Sequence, residues 1–335
     1  MRAPTIRDVA ARAGVSKSLV SLVLRGSGSV RPEKRQAVLA AVEELGYRPN
    51  AAARSLSERR TRTVGVLLDD LRNPWFVDLL DGLTERLHDA GLRVLLGDGR
   101  LDERLGEDLT RTFTELRVDG VVAVGTLQDP QALRAAAGRV PVVVAGAREP
   151  ELPGVDVVTG DDELGARLAT EHLIRLGHRR IAHITGRGAV GALRRRGFET
   201  AMRAHGLADA ALVENGDLTE EGGHRAAVRL LGRTPRPTAV FAANDITCVG
   251  ALSAAAESGL AVPRELSLVG YDNTSLARLR HLSLTTVDPS GHEVGLRAAR
   301  RLLDRIQDPD RPGTVELTRP VLRERGSTAP PAASR

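Results

Sequence analysis

The sequence predicts two unlike parts: an N-terminal all-α helix-turn-helix unit and, behind it, an α/β body of two parallel-sheet subdomains. Three observations predict this. Apolar residues recur at helical spacing in three short stretches before residue 48. From residue 63 onward, β-rich apolar runs alternate with amphipathic stretches, and the alternation starts again near residue 161. The net charge of +5 is also uneven, because residues 1–62 hold 13 Lys and Arg against 5 Asp and Glu, while the rest is slightly acidic.

In the first stretch Ile6, Val9, Ala10 and Ala13 share one helix face, and Thr5 with Asp8 forms a start signal that can satisfy orphan N–H groups. Gly14 permits a tight turn and Ser16 is a good N-cap. Leu19, Val20, Val23 and Leu24 then make a second apolar stripe. Helix, glycine turn, helix is the pattern that lays its second helix into a DNA major groove, although any small helical hairpin shares it. Pro32 suits a first helical turn. Val38, Ala41, Val42 and Leu45 give a third face, ended by Gly46 and Pro49. Residues 49–56 are Ala-rich and capped by Asn50, and are too short for a stable helix alone in water.

The body begins after the linker 57–63. Its first set of strands is expected at 64–68, 92–96, 120–124 and 140–145, and its second at 180–184, 239–242 and 266–270. Such runs separated by helices imply βαβ units and sheets covered on both faces. Residues 284–288 read as a second crossing between the halves, 290–306 as a helix returning to the first half, and 314–322 as a closing strand. After Arg325 the Pro- and Ala-rich tail reads as disordered. It carries no leucine heptads, so a tetramer built on a C-terminal coiled coil is not expected.

Composition narrows the function. A chain of 335 residues exceeds one ordinary domain, and its 41% hydrophobic content suffices for real cores. One cysteine, Cys248, forms no internal disulfide and reads as a small buried residue. No apolar run reaches membrane-spanning length and the opening residues do not resemble a secretion signal, so a cytoplasmic protein is expected. The eight histidines are scattered, His178 reads as structural, and neither metal nor cofactor is expected. A basic head on a near-neutral body reads as a nucleic-acid surface, since phosphate neutralisation releases counterions.

Three helices followed by the Ala53-Arg54-Ser55-Leu56 segment resemble the DNA-binding headpiece of the lactose repressor (LacI) family. The resemblance extends over residues 5–323 and implies a type I, periplasmic-binding-protein-like sensor as the body. It implies double-stranded operator DNA, a small-molecule effector and a homodimer as partners, and no membrane. Lys17, Ser18 and Leu22 match the base-contacting positions. Lys17 suits guanine O6 and N7, whereas Leu22 departs from the polar residue common there and suits only a thymine methyl or a ring edge. Thr5, Ser16, Ser21, Arg25, Asn50 and Ala53 complete the expected DNA contacts, and Leu56 matches the leucine that wedges into the minor groove. Arg31 replaces the family's usual hydroxyl cap on the third helix.

In open sheets ligands sit off the carboxyl ends of the strands, here expected to face one another across a cleft. Trp75 and Phe76 follow the first strand and suit an apolar wall. Asp161 matches the family's acidic-x-x-x-Gly start of the second half, with a helix N-cap as its other reading. Arg194 falls in the Arg-x-x-Gly-aromatic pattern, while Arg195 and Arg196 read as solvated. Asn244 and Asp272 stand where strands end, and Asn244 and Asp245 are equally suited to capping. Such donors and acceptors suit a sugar, and a purine or another metabolite could use the same positions.

The expected boundaries are therefore 1–48 for the headpiece, 49–62 for hinge and linker, 63–325 for the effector domain and 326–335 for the tail. Within the body, one subdomain takes about 63–160 and 290–318 and the other about 161–289 and 319–325. Two other readings compete with a regulator. Gly186, Gly188 and Gly191 spell G-x-G-x-x-G after a strand, with Glu214 downstream, the mark of a dinucleotide-binding protein or enzyme. That pattern needs a helix opening at the glycines, whereas the helical periodicity here is expected to start only near Arg194. A DNA-architectural protein is the other, but it has no use for a large body with a cleft.

Overall fold

The computed structural model describes residues 4–24, 26, 29–48, 60–105, 109–126, 130–148 and 152–332. The chain divides into two units, Met1–Thr61 and Arg62–Arg335.

Among its described residues the first unit holds α1 (Ile6–Arg12), α2 (Lys17–Leu24) and α3 (Pro32–Glu44). Asp8 accepts from the Thr5 N–H at 2.8 Å and from its hydroxyl at 2.7 Å, while Ser16 accepts from the Leu19 N–H. Gly14 turns the chain at φ +64°, and Arg31 starts α3 with no side-chain cap. The three apolar stripes meet as read: Val9, Ala10, Val20, Val23, Val38 and Ala41 are buried together, with Val30 from the loop.

The second unit holds two six-stranded sheets. The first contains β1 (Thr63–Leu68), β2 (Arg93–Asp98), β3 (Gly120–Val124), β4 (Val142–Ala145), β5 (Asp156–Gly160) and β11 (Val315–Thr318), in the order β11-β5-β4-β3-β1-β2. All its pairings are parallel. The second contains β6 (Ile181–Thr185), β7 (Ala211–Asn215), β8 (Ala239–Ala242), β9 (Ser267–Tyr271), β10 (Thr285–Asp288) and β12 (Val321–Arg323), in the order β12-β10-β9-β8-β6-β7. It is parallel except where β12 runs against β10.

Helices cover both faces of each sheet, because the strands are apolar on both sides. On one face of the first sheet α4 (Trp75–Asp89) lies against α13 (Gly291–Gln307), and Leu79, Leu83, Leu87, Val294, Ala298 and Leu302 fill the core below them. Each such leucine contributes about 1.5–3 kcal/mol by leaving water. α5 (Gly99–Leu105) follows β2, and α6 (Leu109–Glu115) and α7 (Pro130–Ala137) bring Phe113 and Leu133 to the opposite face. The second sheet is covered by α8 (Asp162–Arg175) and α9 (Gly188–Ala204) on one side, and by α10 (Glu220–Leu231) and α11 (Asp245–Glu257) on the other. A short α12 (Ser275–Arg278) follows β9.

The chain crosses between the sheets three times: at Asp161, at Pro289–Ser290 and at Arg319–Pro320. Residues 284–288 are thus not a crossing but mainly strand β10 of the second sheet, with the crossing just after it. The expected closing strand over 314–322 is likewise split, β11 finishing one sheet and β12 the other. The crossings are tied together. The Asp161 N–H donates to the Thr318 carbonyl at 3.1 Å, and the Thr318 hydroxyl donates to the Pro289 carbonyl at 2.8 Å.

The tail from 326 onward reads as disordered in the sequence, yet residues 327–329 are packed against the second sheet. Ser327 is 2% exposed; its hydroxyl donates to the Leu268 carbonyl and accepts from the Thr285 N–H. The Leu268 N–H donates in turn to the Ser327 carbonyl, so the tail lies beside β9 just ahead of its pairing with β10. His178 completes the seat, with Nδ1 2.9 Å from the Thr238 hydroxyl and Nε2 2.9 Å from the Ala329 carbonyl. Composition suggested disorder because it does not register a single well-placed serine. No helix among the described residues is long and apolar enough to cross a membrane.

Candidate DNA-facing helix and effector cleft

In the first unit Val20 and Val23 turn α2 inward, which leaves Lys17, Ser18 and Leu22 exposed. These are the three side chains expected to read bases, and they share the outer face of α2. Thr5 and Ser16 sit at helix starts, where their hydroxyls already serve the fold. Ser21 is half-buried on α2. Arg25, Asn50, Ala53 and Leu56 lie outside the described residues.

In the second unit a cavity of about 490 Å³ opens between the two sheets at the carboxyl ends of their strands. Trp75 and Phe76, at the start of α4, form part of its wall, with ring centroids 5.3 Å apart in an edge-on arrangement. Gly146 makes room for this wall, since a Cβ there would strike the Trp75 ring.

The opposite wall is built around Arg194 on α9. Its Nε donates to Asp162 at 2.8 Å, its Nη1 to the Ala243 carbonyl, and its Nη2 lies 3.4 Å from Asp272. The guanidinium is stacked 3.6 Å over the Tyr271 ring. Burial works against its charge, but the carboxylates of Asp162 and Asp272 hold it firmly protonated. The Asp162 carboxyl is raised above its usual range by burial, with Arg194 opposing. Asp272 is pushed up to about 6, again by burial, while Arg194 and a hydrogen bond from Asn73 on the facing wall pull the other way. Asp272 also sits at φ +101°, a strained conformation costing about 1–3 kcal/mol that marks functional positions.

The two motif glycines now have a physical reason. A Cβ on Gly165 would strike the Tyr271 hydroxyl, and one on Gly197 would strike the Glu163 carbonyl. They let α8, α9 and the Tyr271 ring close up beneath Arg194.

Trp75, Phe76, Arg194, Asn244 and Asp272 all line the cavity. Asp161 does not. It is the N-cap of α8, accepting from the Leu164 N–H, and the next residue, Asp162, occupies the cleft instead. Asn244 does both, capping α11 through the Thr247 N–H while donating to the Leu218 carbonyl at the cleft edge. Asp245 lies below the cleft, held by Thr274 and Thr286, and burial pushes it up to about 7. Sequence reasoning missed Asp69, Asp70, Arg72, Arg100 and Arg187, which also line the cavity. The signal was available for Asp69 and Arg187, which stand one and two residues beyond the ends of β1 and β6.

The glycine-rich stretch is corrected in one respect. Its helix opens at Gly188, not near Arg194, as the dinucleotide pattern requires. Yet each glycine serves a close approach within the fold: a Cβ at Gly186 would strike Leu218, at Gly188 Thr126, and at Gly191 the Gly186 carbonyl. Glu214, the acid that would hold a ribose, is taken by Arg229 and Arg233.

Known proteins resemble this chain over most of its length. Residues 5–50 match the family model of bacterial regulatory proteins, lacI family, and residues 170–328 match a periplasmic binding protein-like domain. The chain is 36% identical to the HTH-type transcriptional repressor PurR of Erwinia tasmaniensis over 97% of each chain. Among solved structures, a transcriptional regulator CelR–cellobiose complex superposes with a TM-score of 0.72 at 35% identity, covering 97% of this chain and 99% of the other. The lac repressor dimer bound to operator and the anti-inducer ONPF gives 0.85 at 28% identity, covering 98% and 100%.

Proposed function

This chain belongs to the lacI family of bacterial regulatory proteins and is a helix-turn-helix transcription regulator rather than an enzyme, and from that premise we propose that it is a homodimeric repressor whose operator affinity is set by a sugar bound between the two halves of its body. The observation that carries the effector reading is the pairing of walls in the cleft. An aromatic face at Trp75 and Phe76 stands opposite Arg194, Asp162 and Asp272. An aromatic face covers the apolar side of a pyranose, and fixed carboxylates accept hydrogen bonds from its hydroxyls. The likeness to a regulator complexed with cellobiose supports the same class.

On DNA, two headpieces take the half-sites of a near-palindromic operator, since a two-fold dimer matches two-fold DNA. Lys17, Ser18 and Leu22 read the major groove. Thr5, Ser16, Ser21, Arg25, Asn50 and Ala53 set the register on the backbone. Residues 49–56 order as a hinge, and Leu56 wedges the minor groove, where the bend lays more protein surface against the duplex and so offsets the unstacking. Effector closes the cleft and changes whether paired hinges can stay adjacent. It shifts operator affinity only by its differential affinity for the two states. A purine is the second reading, favoured by the aromatic wall on which a flat heterocycle can stack.

The test is a thermal-shift screen with cellobiose, ribose and hypoxanthine, followed by binding to an operator selected from random duplexes. Ligand at a hundred times its Kd stabilises the body by about 2.7 kcal/mol. A sugar that raises the melting temperature and lowers operator affinity supports the reading. A response to hypoxanthine alone replaces it with the purine. The absence of any preference among duplexes at moderate ionic strength overturns operator recognition.

A further inference from the structure

Asp69 and Arg187 face each other across the cleft from opposite halves of the body. Asp69 is the first residue past β1 and is rigidly placed. Its N–H donates to the Val124 carbonyl, its own carbonyl accepts from the Arg100 N–H, and a Cβ on Gly125 would lie only 3.1 Å from the Asp69 Cβ. Only 10% of that side chain is exposed, and the neighbouring acids Asp70 and Asp98 add to its electrostatic load. The two arginines of the same wall, Arg72 and Arg100, are both engaged by Asp70, at 2.5 and 3.2 Å. The cation that reaches Asp69 therefore comes from the other half. Arg187, at the N-cap of α9, places Nη2 3.0 and 3.2 Å from the two Asp69 oxygens, with 41% of its side chain still exposed.

We propose that Arg187 is the swinging counter-ion that permits the cleft to close over Asp69, so that this pair sets the balance between open and closed body and hence the effector concentration at which it responds. Closure takes the Asp69 carboxylate out of water, and a carboxylate enclosed without a partner is strongly unfavourable, whereas losing both members of such a pair costs little. The pair is thus asymmetric. Removing Arg187 alone opens the cleft, because Asp69 then returns to solvent. Removing both charges lets it close again. Apparent effector affinity scales with the closed fraction and falls with it in the single variant. The inference rests on cleft closure as the effector's switch, but it is read without effector or DNA, so the two can fail separately.

The chain has a single tryptophan, Trp75, and it stands on the cleft wall at 8% exposure, so acrylamide quenching of its fluorescence reports closure without any added label. Arg187→Gln is expected to raise the quenching constant about two- to fivefold, the range set by a partly exposed ion pair. The Asp69→Asn/Arg187→Gln double variant and Arg187→Lys are expected to stay near wild type, with circular dichroism confirming the fold of each. An Arg187→Gln protein as protected as wild type overturns the proposal. So does a double variant as quenchable as the single one.

Discussion

The outer face of α2 and the floor of the cleft put polar side chains to use in opposite ways. On α2, Lys17 and Ser18 extend into solvent while Val20 and Val23 do the packing, so the residues proposed to read DNA carry little of the fold. In the cleft, Arg194, Asp162 and Asp272 are each more than nine-tenths buried and hold one another. A surface that meets a large, hydrated polyanion can leave its charges in water until binding. A pocket for a small ligand must hold its charges ready in a dry place, and there they have to be satisfied by each other. Recognition and stability are therefore separable in one region and fused in the other.

The largest expected effect tests that fusion. Arg194→Ala strands two buried carboxylates and should lower the unfolding free energy of the body by about 3–5 kcal/mol. Denaturant titration measures this, and effector response should vanish with it. A variant of full stability that merely lost its effector response would break the contrast. On the other side, Lys17→Ala should weaken operator binding by about 1–3 kcal/mol. Its unfolding free energy should stay within about 0.5 kcal/mol of wild type. Paired binding and unfolding measurements decide this.

The smallest effect concerns pH. Because burial holds the Asp272 carboxyl up to about 6, it is protonated below that value and would then no longer serve as the proposed carboxylate acceptor for a ligand hydroxyl. Effector affinity should fall as pH drops through 6, by at most about tenfold per unit. The stability contribution of the same group runs the other way. Its native pKa lies above the ordinary 3.8, so the contribution is complete below about pH 4 and is lost as pH rises through 6. Calorimetric ligand titrations paired with denaturant unfolding from pH 4 to 8 should show affinity and this contribution moving in opposite directions.

The same contrast explains what the sequence made legible. The headpiece could be read almost residue by residue, because its helices are local and its stripes, caps and glycines lie within a few positions of one another. Most strands of the body were visible as apolar runs. Edge strand β7 was not, since its residues are half-buried or exposed and show no clear run. In the cleft, Asp161 and Asp162 were indistinguishable by spacing, since an N-cap and the first helical residue differ only in which way the chain has begun to turn. The Arg187–Asp69 pair joins positions 118 apart, and no periodicity reports on that. The hinge 49–56 rests on resemblance alone and lies outside the described residues.

The lacing of Asp161, Thr318 and Pro289 has a mechanical consequence. One linker between two rigid blocks would let them swivel, slide and tilt freely. Three linkers fastened side by side behave as a flat leaf spring, stiff to shear and torsion and compliant to bending about the line that joins them. If an effector acts by closing the cleft as proposed, it would drive the blocks along only one coordinate, and a ligand of quite different shape would produce the same motion. On the proposed reading, the spring would fix the direction of the output and the occupant would supply only its extent.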